Sequence, residues 1–226
     1  VVHQKLSGTY YRLYSKNNIL IYPKEDIRTS LMRNFIWLQD VNIASVMGNI
    51  SLVLREREPI YLWCDSVDKP ILERTCYYLD ENGFAFAVAP RFSSGVYLSL
   101  YGGNRRGGYM GRNILEPSRF HSVIKTKDSL LKIIETREPD LGHLTGIYIN
   151  KNGDYDLLFD GSGSNWKLSF NLSDATTTSM VSENMPERKL IAVFESLSFK
   201  RGLESIKGDL EYVDLRFGKK VFYKFR

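Results

Sequence analysis

The sequence has no apolar run approaching the roughly 20 residues that a membrane-crossing helix needs. Nor does any stretch have the layout of a signal peptide. Histidine is scarce: His3, His121 and His143 stand apart, none at metal-ligand spacing from another histidine or a cysteine. Cysteine is scarcer, with only Cys64 and Cys76. In an oxidising compartment these two would close one disulfide, and in a reducing one they would be ordinary thiols; two cysteines alone do not decide it. Excess charge is small, +5 over 226 residues, and dispersed, which describes a solvated surface. Arg105, Arg106 and Arg112 form the sole local basic cluster, too little for a nucleic-acid stripe, so no nucleic-acid partner is expected. No 20–50-residue repeat and no low-complexity segment is present.

Aromatic residues, by contrast, are plentiful. With 14 Tyr and 12 Phe, the composition suits strands, where flat rings pack on a pleated surface. A hydrophobic fraction of 43% is enough for a packed core without metals. The length fits one large domain or two small ones.

Hydrophobic spacing predicts α+β organisation. Residues 6–22 read as extended chain with turns. Pro23 then opens a helix over 23–34, with Ile27, Leu31 and Phe35 at helical spacing. Residues 40–46 and 49–56 read as a hairpin around Met47-Gly48. Strands are predicted over 75–79, 84–88 and 95–100, the first two joined by Asp80-Glu81-Asn82-Gly83, where Asn-Gly supplies the turn. A helix is predicted over 127–136 and a meander over 144–150, 154–159 and 166–171. One long helix follows over 186–199, and the last two strands are 209–216 and 220–225. The expected architecture is thus helix–strand–strand, followed by a mixed or antiparallel sheet with two helices.

The search for chemistry finds little. The stretch from Gly102 to Gly108 is rich in glycine and holds Arg105 and Arg106, yet no Lys-Ser/Thr follows, so it is not a P-loop. It reads as a surface loop. Asp154, Asp156 and Asp160 flank turns without calcium-loop spacing and read as turn residues. Asp160-Gly161-Ser162-Gly163 lies between strands and has the wrong order for a nucleophile elbow. No catalytic residue, metal or cofactor is expected. The chain opens on Val1, and residues 1–5 are neither a cap nor a turn. The sequence is therefore expected to begin inside a longer protein.

Three motifs are more specific. Leu54-Arg55-Glu56-Arg57-Glu58-Pro59 ends the first hairpin. Tyr77-Tyr78-Leu79-Asp80-Glu81-Asn82-Gly83-Phe84-Ala85-Phe86 forms the second. Tyr212-Val213-Asp214-Leu215-Arg216-Phe217-Gly218 precedes Val221-Phe222-Tyr223 near the end. In this order they resemble the FtsQ/DivIB family of bacterial cell-division proteins. There a strand ends in Glu-Arg-x-Pro, a hairpin carries Asp-x-x-Gly-x-x-Phe, and the chain closes on a strand with Asp-Leu-Arg. The pattern Trp63-Cys64 … Cys76 is like that of divergent members.

The resemblance implies a family plan: a short cytoplasmic tail, one membrane helix, a POTRA domain and a β-domain. Residues 1–60 would be a POTRA domain without its first strand, and 61–226 the β-domain. The chain would lie on the extracytoplasmic side of the inner membrane, anchored by a single helix absent here, and be enriched at the division septum. It would be a non-enzymatic scaffold that recruits FtsB/DivIC-like and FtsL-like proteins and contacts other divisome membrane proteins. Glu56, Arg57 and Pro59 would shape the passage between the two parts, and Asp80 and Gly83 the second hairpin turn. Partner binding would fall on the last two strands, at Tyr212, Asp214, Arg216, Phe217, Gly218, Val221, Phe222, Tyr223 and Lys224. Alternation sends Val221, Tyr223 and Phe225 one way and Phe222 and Lys224 the other. A last strand at a sheet edge would accept a strand from a partner, unless Lys219, Lys220 and Lys224 blunt it. Two other readings are a different POTRA-bearing transport or assembly protein, and a small extracytoplasmic hydrolase built on Arg105 or Arg106.

Overall fold

The structure, a computed structural model, describes residues 1–18, 21–47, 49–70, 73–91, 95–102, 108–161, 164–172, 185–205 and 209–226. The chain is α+β and divides into two units, Val1–Glu58 and Pro59–Arg226.

In the first unit, α1 (Val2–Leu6) leads into the short hairpin β1 (Thr9–Tyr10) and β2 (Tyr14–Ser15). Helix α2 (Lys24–Asn34) follows, with Pro23 as its N-cap. Next come β3 (Leu38–Val46) and β4 (Asn49–Glu56), which pair antiparallel. Ile27 and Leu31 of α2 bury against Leu38, Val41 and Ile43 of β3, the contact that the helical and two-residue spacings specify.

Among the described residues, the second unit is built on a ten-stranded sheet. Its strands are β5 (Tyr61–Cys64), β6 (Cys76–Leu79), β7 (Phe84–Val88), β8 (Leu98–Gly102), β9 (Arg112–Asn113), β10 (His143–Ile149), β11 (Tyr155–Asp160), β12 (Asn165–Phe170), β13 (Leu210–Asp214) and β14 (Phe222–Phe225). They lie in the order β14-β13-β12-β11-β10-β8-β5-β6-β7-β9. Three neighbouring pairs run parallel, β8 with β5, β8 with β10, and β12 with β13. Parallel neighbours need a crossover. Helix α3 (Pro117–Arg137) lies on the path from β8 to β10, and α4 (Pro186–Glu195) and α5 (Leu197–Ser205) on the path from β12 to β13.

Alternation sorts the two sheet faces. Trp63, Leu100, Ile147, Ile149, Tyr155, Leu157 and Phe159 join the core that includes Phe120, Val123, Leu130 and Ile134 of α3 and Leu190, Val193 and Phe194 of α4. Their strand neighbours Leu62, Cys64 and Tyr101, with Tyr148 and Leu158 packed beside them, form a separate cluster. On the latter side a cleft of about 1050 Å³ opens, bordered among others by Tyr97, Tyr101, His143, Lys167 and Tyr212.

Several elements differ from the sequence reading. Helix α3 begins ten residues earlier than predicted. Glu116 caps it by accepting from the Arg119 N–H, and Pro117 takes the first turn, where no N–H is missed. The single helix expected over 186–199 is two. Ser196 is extended, at φ −72° and ψ 134°, and its Oγ accepts from the Phe199 N–H as the cap of α5. Among the described residues the second unit therefore has three α-helices rather than the expected two. Strand β5 went unpredicted because Leu62, Trp63 and Cys64 are all buried, which erases alternation. Asp156 sits inside β11, buried and accepting from the Ser169 hydroxyl at 2.6 Å, and is not a turn residue.

Candidate partner-binding edge

Strand β14 terminates the sheet at one side; among the described residues no strand lies beyond it. It pairs antiparallel with β13, with Asp214 opposite Phe222, Val213 opposite Tyr223 and Tyr212 opposite Lys224. The Arg226 N–H donates to the Asp209 carbonyl at 2.9 Å. Backbone groups of an antiparallel strand alternate in direction. Counting back from Arg226, Lys224 and Phe222 turn theirs toward β13. Tyr223 and Phe225 turn their N–H and C=O groups outward.

The side chains alternate as the sequence predicts. Tyr223 and Phe225 pack on α5: the Tyr223 and Ser198 hydroxyls lie 2.6 Å apart, and the Phe199 ring is 5.2 Å from Tyr223 and 5.4 Å from Phe225. Val221 also packs against the core. This contact fixes the last strand in place. On the opposite face Phe222 is 47% exposed and meets Phe217, 53% exposed, edge to face at 5.4 Å. The pair forms an aromatic step beside the outward backbone. Lys224 is held by Glu211 at 2.6 Å. Lys219 and Lys220 fall before β14, in the turn at Gly218. That turn is closed by the Lys220 N–H donating to the Phe217 carbonyl.

A charged cluster anchors the turn. Asp214 is buried at 7% exposure. Its Oδ1 accepts from the backbone N–H and Nε of Arg216, at 3.1 and 2.9 Å, and its Oδ2 from Nη2 at 2.5 Å. Arg216 also reaches Asp154 through Nη1 at 3.0 Å and lies over the Phe217 ring. Burial pushes the Asp214 carboxyl up, but the hydrogen bonds from Arg216 outweigh it and hold the group below the usual carboxylate range. Beside them Lys189 is buried and donates to the Leu215 carbonyl at 2.7 Å. Burial draws its ammonium below the ordinary lysine value, and Asp214 acts in the opposite sense. The sequence reading paired Asp214 with Arg216 but missed Lys189 and assigned Asp154 to turn chemistry alone. A lysine inside the apolar run of α4 was the available signal, since it is buried only when partnered.

The other candidate residues lie elsewhere. Glu56 ends β4 and is exposed, and Pro59 opens the second unit. Arg57 donates Nε to the Ile36 carbonyl at 3.1 Å and its N–H to the Trp37 carbonyl at 2.8 Å, both within the first unit. Asp80 is buried and accepts from the N–H groups of Asn82 and Phe84. Gly83 closes that turn at φ +72°. Cys64 and Cys76 face each other across β5 and β6 and are joined by a disulfide. Closing a loop of this size contributes on the order of 3 kcal/mol by restricting the unfolded chain.

Arg105 and Arg106 lie outside the described residues, as do Gly48, Ser162 and Gly163. Among the described residues no serine hydroxyl is hydrogen-bonded to a histidine, and no three His, Cys, Asp or Glu side chains are grouped to hold a metal. Among the described residues no helix is long and apolar enough to cross a membrane. No protein-family model matches the chain, and no curated protein matches its sequence.

Proposed function

We propose that this chain is a scaffold of the FtsQ/DivIB type, without catalytic activity, that binds membrane-anchored division proteins by adding their strand to β14. The observation that carries the reading is the place of β14 at the sheet edge, with the backbone groups of Tyr223 and Phe225 turned outward. Main-chain hydrogen bonds to such an edge supply affinity, and side-chain contacts beside it supply specificity. Phe217 and Phe222 are the exposed aromatic anchors for the second role. The Asp154–Arg216–Asp214 cluster holds the turn that presents them. The cross-strand disulfide is in keeping with an oxidising, extracytoplasmic location. The partners are FtsB/DivIC-like and FtsL-like proteins.

The test is capture of an FtsB/FtsL-like partner by the wild-type chain, by a Phe217→Ser/Phe222→Ser variant and by a chain ending at Val221. The double variant keeps the packed face of β14. It is expected to bind at least about 30-fold more weakly, the loss typical of a truncated aromatic hot spot. The shortened chain should not bind. Undiminished capture without residues 222–226 would refute the proposal.

A further inference from the structure

The first unit carries a feature that the strand-addition edge does not use. Strands β1 and β2 pair with Tyr10 opposite Tyr14, and the Leu13 N–H donates to the Tyr10 carbonyl at 2.9 Å to close the turn between them. The tip of this hairpin points apolar side chains at solvent. Tyr11 is 91% exposed, Leu13 77% and Tyr14 60%. Of the large apolar side chains described, Tyr11 and Leu13 are among the three most exposed. Scattered exposed apolar residues are ordinary, but three within four positions on one projecting turn mark a surface that meets something. The turn is also strained. Tyr11 and Arg12 stand at φ +49° and +63°, where glycine or asparagine is usual. Backbone strain of this kind concentrates at segments with a function.

Charge points to what the tip meets. The positive excess of the chain is unevenly spread: residues 1–24 hold Lys5, Arg12, Lys16 and Lys24 and no Asp or Glu, leaving +1 for the rest of the chain. Arg12 is exposed at the tip itself, and Lys16 lies over the Tyr10 ring at 5.4 Å. Tyrosines beside arginine and lysine are the composition of a bilayer interface, where the rings sit at headgroup level and the cations reach lipid phosphates. Three side chains on a narrow turn fall short of the roughly 800 Å² per partner that a stable protein interface uses. A fluid lipid surface needs no complementary groove.

We propose that the β1–β2 hairpin is a membrane-surface finger, with Tyr11, Leu13 and Tyr14 entering the interfacial region of an anionic bilayer and Arg12 and the neighbouring lysines contacting its phosphates. The contact is peripheral and reversible, since a single small apolar element does not anchor a protein by itself. It draws on the first unit alone, so it and the reading of β14 can fail separately.

Co-sedimentation of the whole chain with vesicles tests it. Partition onto equal parts of phosphatidylglycerol and phosphatidylcholine is expected to exceed that onto phosphatidylcholine alone by at least about 10-fold, and to weaken as salt is raised. Tyr11→Ser/Leu13→Ser should lower the anionic partition at least about 10-fold, and Arg12→Glu by about as much. Both native cysteines are in the disulfide, so Leu13→Cys accepts a single environment-sensitive fluorophore. Its emission should shift to the blue on anionic vesicles, which keeps the test decisive if the double variant does not fold. Equal partition onto the two vesicle types, unchanged emission from the label, or a folded double variant that partitions like wild type would overturn the proposal. Retention on immobilised poly-glutamate without vesicle binding would overturn it in favour of an acidic protein partner.

Discussion

Asp214→Ala is expected to destabilise the second unit by about 3–5 kcal/mol, the cost of removing one member of a buried charged group. The substitution leaves Arg216 without three of its hydrogen bonds and Lys189 without its nearby counter-charge. Lys189 cannot easily reach water, being 6% exposed and tied to the Leu215 carbonyl, whereas Arg216, with 28% of its side chain exposed, keeps Asp154. Urea denaturation at pH 7 measures the loss. The pH dependence has a definite sign. The Asp214 carboxyl lies below its ordinary value in the folded chain, so its contribution is complete above the unfolded pKa, about 3.9. It disappears as pH falls through the lower folded value. Wild type and Asp214→Ala should therefore differ most at neutral pH and converge in acid. A constant difference down to the most acidic conditions would contradict this account of the cluster.

Gly142→Ala should cost at least as much, about 4 kcal/mol or more. Gly142 precedes β10 with φ +100° and ψ −169°, a region that residues with a side chain avoid. A Cβ there would stand 2.1 Å from the Asp160 carbonyl oxygen and 2.6 Å from the Gly161 Cα. Both obstacles are backbone, and the strand they belong to is fixed by the pairing of His143 with Asp160. The chain cannot swing a side chain aside, so β10 and β11 must separate at this end or shift register. For a unit of this size the loss corresponds to a fall in Tm of roughly 8–16 °C. A variant that melts within about 2 °C of wild type would show that the close approach is not as described.

Most strands were legible because one face of each is buried. Strands β10 and β11 were legible as apolar runs on either side of the Asn152-Gly153 turn, although Tyr155, Asp156, Leu157 and Phe159 of β11 are all buried. The hairpin β6–β7 was legible for the same reason, through Asn82-Gly83. What stayed hidden was buried on both faces or set by a cap. Strand β5 lies inside the sheet and shows no alternation. The break between α4 and α5 depends on one serine hydroxyl, in a segment whose apolar spacing continues straight through. In the candidate site, the alternation of β14 was readable from Val221 to Phe225. Its position at the edge was not, because sheet order is set by crossovers such as the path through α4 and α5. The burial of Lys189 and the reach of Arg216 to Asp154 are tertiary facts with no local signature beyond a lysine in an apolar helix face.

The central claim is that a partner strand hydrogen-bonds to the outward backbone of β14. Amide hydrogen exchange, with and without an FtsB/FtsL-like partner, tests it residue by residue. The amides of Tyr223 and Phe225, which turn away from β13, should exchange fast in the free chain and become protected in the complex. Those of Phe222 and Lys224, already in the ladder, should change far less. A complex that forms while Tyr223 and Phe225 exchange as fast as before would contradict strand addition.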